Sequence, residues 1–429
     1  MSTALYFSGE KEITPVDIQE ALQANLQDYG TIRKALILPP DITRANSYAG
    51  PVVKELYEML SGAEVDILPA LGTHFAMTEE EMDAMYPGIP HERFIVHNWR
   101  EGVEKIGEVP AELVKEVSEG LMDEPIDIEV NKLLLDDSYD LIVSVGQVVP
   151  HEVVGMANYS KNVFVGCGGS SMLNKTHYLG ALYGMERMMG RDATPVRSVF
   201  DYAQGILDKR LKKPVLYVLS VTSKGEKGLH VDGLFVGTQR DSFEQAVKLS
   251  QEKNLVFLDE PLKKVVCYLD PEEFKSTWLG NKGVYRTRMA IADGGELIII
   301  GPAVHHFGED TQNDILIRKY GYFGRDQVLE WVGDPANEDL RENLSVAAHL
   351  IHGSSDGRFS ITYAAGKMSK EEIEGAGFQY MTVQEALQQY DIHTLQDGIN
   401  MVDGEEVFYV SNPALGLWAY RDRFFGPQE

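Results

Sequence analysis

The sequence predicts an α/β protein of two domains with mainly parallel sheets and the active site in the cleft between them. Three observations predict this. Short apolar runs bounded by turn residues alternate with stretches of helical periodicity, the pattern of buried parallel strands with crossovers. Polar clusters rich in His, Asp and Arg follow those runs directly, where ligands sit in such sheets. The 429 residues exceed what one domain ordinarily holds, and 44% are hydrophobic, enough for a substantial core.

The runs come in order. Ala35–Leu38 leads through Pro-Pro into Asp41-Ile42-Thr43-Arg44. "EVDILPALGTH" gives a second run and then Gly72, Thr73 and His74. "ERFIVHNWR" reads as a third, ending at His97, Asn98 and Trp99, and "YDLIVSVGQVVPH" as a fourth, ending at His151. Helical patterns lie between them, as over residues 49–60 and 79–85. Residues 241–252 read as a helix with Asp241 as N-cap. A second unit is expected to begin near Leu269, where Asp270 before Pro271 resembles a helix start. "GGELIIIGP" reads as a buried strand, and helices are expected after Lys370 and in "TVQEALQQY". The division expected is a catalytic and cofactor-binding domain over 1–268, a second α/β domain over 269–400, and a segment, 401–429, packing back on the first domain.

Composition narrows the function. A formal charge of −27 repels phosphate backbones and argues against nucleic acid as a partner. No window approaches the ~18 consecutive apolar residues of a membrane-spanning helix. The start lacks the pattern of a secretory signal, and two cysteines, Cys167 and Cys267, make no disulfide framework. A reducing cytoplasm, with neither membrane nor nucleic-acid partners, is the expectation.

There are eleven histidines. His74, His97 and His151 each end an apolar run. Two imidazoles converging on one pocket can serve as matched base and acid near neutral pH. One on each face of a carbon centre is what a racemase or epimerase needs. No HExxH, paired CxxC or EF-hand loop is present. His305-His306 and the i, i+3 pair His349/His352 fit loop and core roles better than a metal site. "GCGGSS" at 166–171 reads as a tight turn before a helix, with a phosphate loop as the alternative. Arg44 could hold a carboxylate bidentately.

Taken in order, "DITR" at 41–44, "GTH" at 72–74, "PH" at 150–151, Lys161, His177 and "WLGNK" at 278–282 resemble the lactate racemase family of nickel-dependent 2-hydroxyacid racemases and epimerases. The His151…Lys161…His177 spacing is its most specific element. The resemblance implies inversion of the C2 centre of a 2-hydroxyacid by hydride transfer to a nickel-pincer nucleotide, with His74 and His151 as acid and base. It implies Lys161 as the covalent tether of that nucleotide, a pyridinium-3-thioamide-5-thiocarboxylate mononucleotide, and His177 as the nickel ligand. It implies Arg44, Lys282, Trp278 and Leu279 at the substrate. Asp41, Thr43, Gly155, Asn158 and Ser160 would cradle ribose and phosphate, and cofactor-synthesis enzymes would be needed for maturation. Two departures stand out. Ala157-Asn158-Tyr159-Ser160 replaces the family's Ser-Gly-Gly stretch, and Trp278-Leu279 replaces Tyr-Gln. The second predicts a changed substrate, since leucine cannot replace an amide's hydrogen bonds. The alternatives are a dehydratase or redox enzyme on the same scaffold, and a ligand-binding protein with a vestigial site.

Overall fold

A computed structural model describes residues 3–5 (backbone only), 13–72, 74–212, 214–225, 228–414 and 416–426. Two compact α/β units emerge, one of residues 1–183 and 188–254, the other of 184–187 and 255–429.

The first unit is built on six strands in the order Thr3–Leu5, Gly228–Gly237, Leu216–Gly225, Leu141–Gln147, Lys34–Leu38, Glu64–Ile67. The last four run parallel, and Gly228–Gly237 is antiparallel to both its neighbours. Leu141–Gln147 is buried along its whole length, as a central parallel strand covered on both faces must be. Two apolar layers cover the sheet. One packs the helices Pro15–Leu26 and Ala49–Met59 against Ala35, Ile37, Val143 and Val218. The other packs Ser170–Tyr183, Pro195–Leu207 and Arg240–Asn254 against Leu36, Leu38, Tyr217 and Leu219.

The second unit has its own sheet, in the order Gln379–Tyr380, Ser360–Ala365, Ile291–Gly301, Leu262–Tyr268, Glu405–Val410, Gly398–Val402. All pairs are parallel except the last. A short parallel pair, Leu255–Leu258 with Leu417–Tyr420, stands beside it.

Several expectations need correction. The units divide after Asn254 rather than at 268/269, because Leu262–Tyr268 is a central strand of the second sheet. Residues 401–429 belong to that same unit, since Glu405–Val410 pairs with Leu262–Tyr268. The run ending at His97 is no strand: it touches the sheet through a single bridge between Phe94 and Ile67. Asp270 starts a turn over residues 271–273, its carboxylate accepting the Glu272 N–H, and the next helix begins only at Thr277. Asp241 lies inside the first turn of Arg240–Asn254 instead of capping it. The helices Ala49–Met59, Glu79–Met85, Lys370–Gly375 and Val383–Gln389 stand where periodicity put them, the last three under complete capping boxes. Among the described residues no helix is long and apolar enough to cross a membrane.

Candidate active site

Three neighbouring parallel strands of the first unit deliver its polar residues from their carboxyl ends. Lys34–Leu38 leads through Pro39-Pro40 to Asp41, Thr43 and Arg44; Glu64–Ile67 leads to His74; Leu141–Gln147 leads to His151. Thr73 lies outside the described residues.

Asp41 organises this edge. It is 4% exposed, and one carboxylate oxygen accepts the backbone N–H of Thr43 (3.0 Å) and its hydroxyl. The other lies 2.6 Å from His74 Nδ1. Burial pushes the Asp41 carboxyl up, but His74, Thr43 and Arg44 outweigh it and hold the group below the usual carboxylate range. An ionised carboxylate there fixes the proton on His74 Nδ1 and leaves Nε2 unprotonated, able to accept a proton. Both Asp41 oxygens are thus engaged within the protein.

His151 is held the opposite way. It is 4% exposed, and its Nδ1 accepts the Val153 N–H at 3.1 Å. In the neutral ring the proton therefore sits on Nε2, which can donate. Glu152 Oε2 lies 3.7 Å from the same Nδ1.

Lys161 and His177 complete the cluster. Lys161 is half-buried, and burial first, then Arg44 and Arg197, draws its amine down to about 8 against the pull of Glu152 and Asp41. About a tenth is then the free amine at pH 7, more than a hundredfold above an ordinary lysine, and that is the form that attacks an acyl carbon. His177 projects from the helix Ser170–Tyr183, and its Nδ1–H donates to the Leu173 carbonyl at 2.7 Å. Burial, then Lys161, draws it down to about 4. The ring stays neutral with its Nε2 lone pair available, as for a metal-ligating histidine whose other nitrogen is tied to a carbonyl. Between pH 6.5 and 4 the unfolded chain takes up a proton that folded His177 refuses, so stability falls as the pH drops through that window. His177→Gln is expected to recover about 2 kcal/mol at pH 4.5 relative to pH 7, read from urea unfolding of the protein without cofactor.

The segment from Gly155 to Lys161 resolves the first departure. Asn158 and Tyr159 both adopt left-handed backbone, with φ of 67° and 57°. The chain keeps a conformation that glycine favours while carrying side chains, at a cost of about 1 kcal/mol each. Tyr159 turns inward: its ring stacks on Phe243 (5.2 Å, 16°) and tilts against Tyr217 (4.4 Å). The side chain therefore lies in the core. Asn158 is 8% exposed, and its amide occupies the space left by the missing side chain of Gly146. Ser160 is fully buried and accepts a hydrogen bond from Arg197 at 2.9 Å. Gly155 (φ 89°) packs against the carbonyls of Met188 and Arg191. Gly155→Ala is expected to lose about 3 kcal/mol or more, since strain and overlap with rigid backbone add; denaturant titration checks it.

Other candidates have structural roles. Both nitrogens of His97 are used, Nε2 on the Gly168 carbonyl (3.0 Å) and Nδ1 on Asn131 (2.9 Å). In "GCGGSS", side chains at Gly166, Gly168 and Gly169 would strike Ala70, Phe164 and Glu129, so these glycines serve close packing.

In the second unit, Lys282 begins the helix Lys282–Thr287, 4% exposed, with Glu273 at 3.5 Å and the Phe274 ring beneath it. Leu279 is 8% exposed. Trp278 stacks on His349 (4.0 Å, 15°), and His349 Nε2 meets the Tyr322 hydroxyl at 3.0 Å. His349 is thus held by aromatic packing and by the Tyr322 hydroxyl, as a core histidine. Cys167 and Cys267 are free and buried.

Sequence reasoning overlooked Asn162, which donates to the Leu38 carbonyl and Ser144, and Arg197, which grips the 156–160 loop. The available signal for Arg197 was a cation in the first turn of a helix, against the dipole, in an otherwise apolar run.

Residues 14–190 match the family model of the lactate racemase N-terminal domain. All the first-unit residues of the cluster lie within this racemase-type segment. A crystal structure of a protein from Thermotoga maritima is 26% identical, with a TM-score of 0.83, covering 96% of this chain and 99% of that one. The lactate racemase apoprotein from Thermoanaerobacterium thermosaccharolyticum is 17% identical, with a TM-score of 0.68, covering 97% and 100%. At that identity the likeness to the racemase is one of fold. No curated protein matches the chain.

Proposed function

We propose that this protein is an isomerase, a racemase or epimerase that inverts the C2 centre of a small 2-hydroxyacid. The observation that carries the reading is the pair of oppositely held imidazoles, His74 on Asp41 and His151 on the Val153 N–H, beside a lysine whose amine is drawn down to about 8 and a histidine kept neutral.

The donor set fits a nickel-pincer nucleotide. Among the described residues no group of three or more His, Cys, Asp or Glu could cage a bare ion. A lone neutral His177 suits a metal that arrives already ligated, and the Lys161 amine suits a covalent tether. When bound, this cofactor supplies a hydride acceptor for the C2 hydrogen. The protein does the rest. Arg44 holds the substrate carboxylate, and Lys282 is the second unit's assigned substrate cation, with Trp278 and Leu279 setting substrate choice. His74 Nε2 takes the hydroxyl proton in one direction and a protonated His151 returns one; the protonation states of the two rings exchange for the other enantiomer. Maturation requires cofactor-synthesis enzymes. The acidic surface supports a partner list without nucleic acid, and the free cysteines fit a reducing cytoplasm.

Co-production with those enzymes tests the reading. We expect about one nickel per chain, a mass increase on the peptide bearing Lys161, and inversion of one or more acids in a 2-hydroxyacid panel. Matured protein without an adduct at Lys161 would sink it.

A further inference from the structure

Arg197 is 1% exposed, and burying a guanidinium costs several kcal/mol unless something in the fold requires it. Its position three residues into the helix Pro195–Leu207 sets its charge against the helix dipole. No carboxylate hydrogen-bonds it among the described residues. The nearby acids Asp192 and Asp201 are bound instead by Arg240, at 2.9 and 2.7 Å. The Arg197 fork goes to the loop before Lys161: Nη2 to the Met156 carbonyl (2.7 Å), Nη1 to Ser160 Oγ (2.9 Å), and both to the Asn158 carbonyl (3.4 Å). That loop carries two consecutive left-handed side-chain residues, a backbone that does not hold itself.

We propose that Arg197 is the positioning residue of the tether lysine, its planar fork clamping residues 156–160 so that Lys161 leaves the loop in one direction. A planar, multi-donor cation is what three inward acceptors at fixed spacing call for; an ammonium cannot span them. Phe243 lies under the guanidinium at 4.4 Å and stacks on Tyr159, so the same contact steadies the fork and the loop. Arg197 is also among the cations that draw Lys161 down to about 8, after burial and Arg44. The proposal rests on the reading of Lys161 as the cofactor's tether.

Hydrogen exchange of the full chain, with and without maturation, tests it. In Arg197→Gln the amides of 157–162 should exchange at least tenfold faster while those of Leu141–Gln147 keep their rates. Adduct occupancy at Lys161 should fall at least tenfold in the matured variant. A general structural role would speed exchange across the whole unit instead. Arg197→Lys should keep the loop loosened, and full rescue by lysine would overturn the clamp. If Arg197→Gln does not fold, Ser160→Ala removes one arm of the fork and should speed loop exchange about threefold. Unchanged exchange in Ser160→Ala, or wild-type adduct occupancy despite a loosened loop, overturns the proposal. Absence of an adduct on wild-type protein would instead sink the cofactor reading and leave the exchange result standing.

Discussion

Lys161→Met is expected to give a folded protein of unmodified mass with no measurable racemisation, even when matured alongside the cofactor-synthesis enzymes. On the proposed reading the tether is covalent, so the loss should be total. Folding should not suffer. The Lys161 amine is drawn down to about 8 mainly by burial, so below that pH the fold carries the cost of a desolvated ammonium. The unfolded chain keeps its proton up to about 10.4, so the cost is fully present below about pH 8 and disappears as the pH rises to about 10.4. Methionine removes it: the variant should be more stable by about 1–2 kcal/mol at pH 7, with the gain shrinking through that window. Intact mass, chiral assay and urea unfolding at pH 7 and 10 check the three statements. A matured variant that still racemises would separate the activity from Lys161 altogether.

Asp41→Asn should cost about 10³-fold in kcat while leaving the Lys161 adduct and the fold in place. The wild-type carboxylate accepts from His74 Nδ1 at 2.6 Å and is held ionised. An amide of the same shape can present its N–H₂ to Nδ1, which turns the imidazole to the tautomer whose Nε2 bears the proton. His74 would then match His151 in its tautomer, and neither would be ready to take a proton from the substrate. The effect should appear in kcat more than in KM, since Asp41 stabilises the imidazolium that forms as the proton moves. His74→Ala should abolish inversion in both directions. A matured Asp41→Asn enzyme within tenfold of wild type would show that the carboxylate merely shapes the loop.

Of the strands that carry the site, Lys34–Leu38 and Leu141–Gln147 were legible because they are buried on both faces, while Glu64–Ile67, at the sheet edge, buries only Val65 and Ile67. Strands buried on both faces read as apolar runs whatever surrounds them, and the turn residues after Leu38, Ile67 and Gln147 mark the three strand ends. The run before His97 misled because its letters are apolar although Val96 is exposed, and it meets the sheet only at Phe94 and Ile95, opposite Ile67. The domain division misled because Leu262–Tyr268 looks locally like any first-unit strand. Its sheet is chosen by pairing with Ile291–Gly301 and Glu405–Val410.

By itself the sequence determined which residue types stand at the strand ends, the alternation that makes each unit α/β, and the order His151, Lys161, His177. Only the tertiary structure decided what those groups are. Asp41 reaches His74 across 33 positions, and Arg197 reaches Ser160 across 37 and Met156 across 41. The neutrality of His177 and the lowered basicity of Lys161 come mainly from burial by residues scattered along the chain. Periodicity is a local property and leaves its mark in neighbouring letters. Desolvation and hydrogen bonding act through space, so a residue's tautomer, charge and orientation are fixed only once distant segments have packed together.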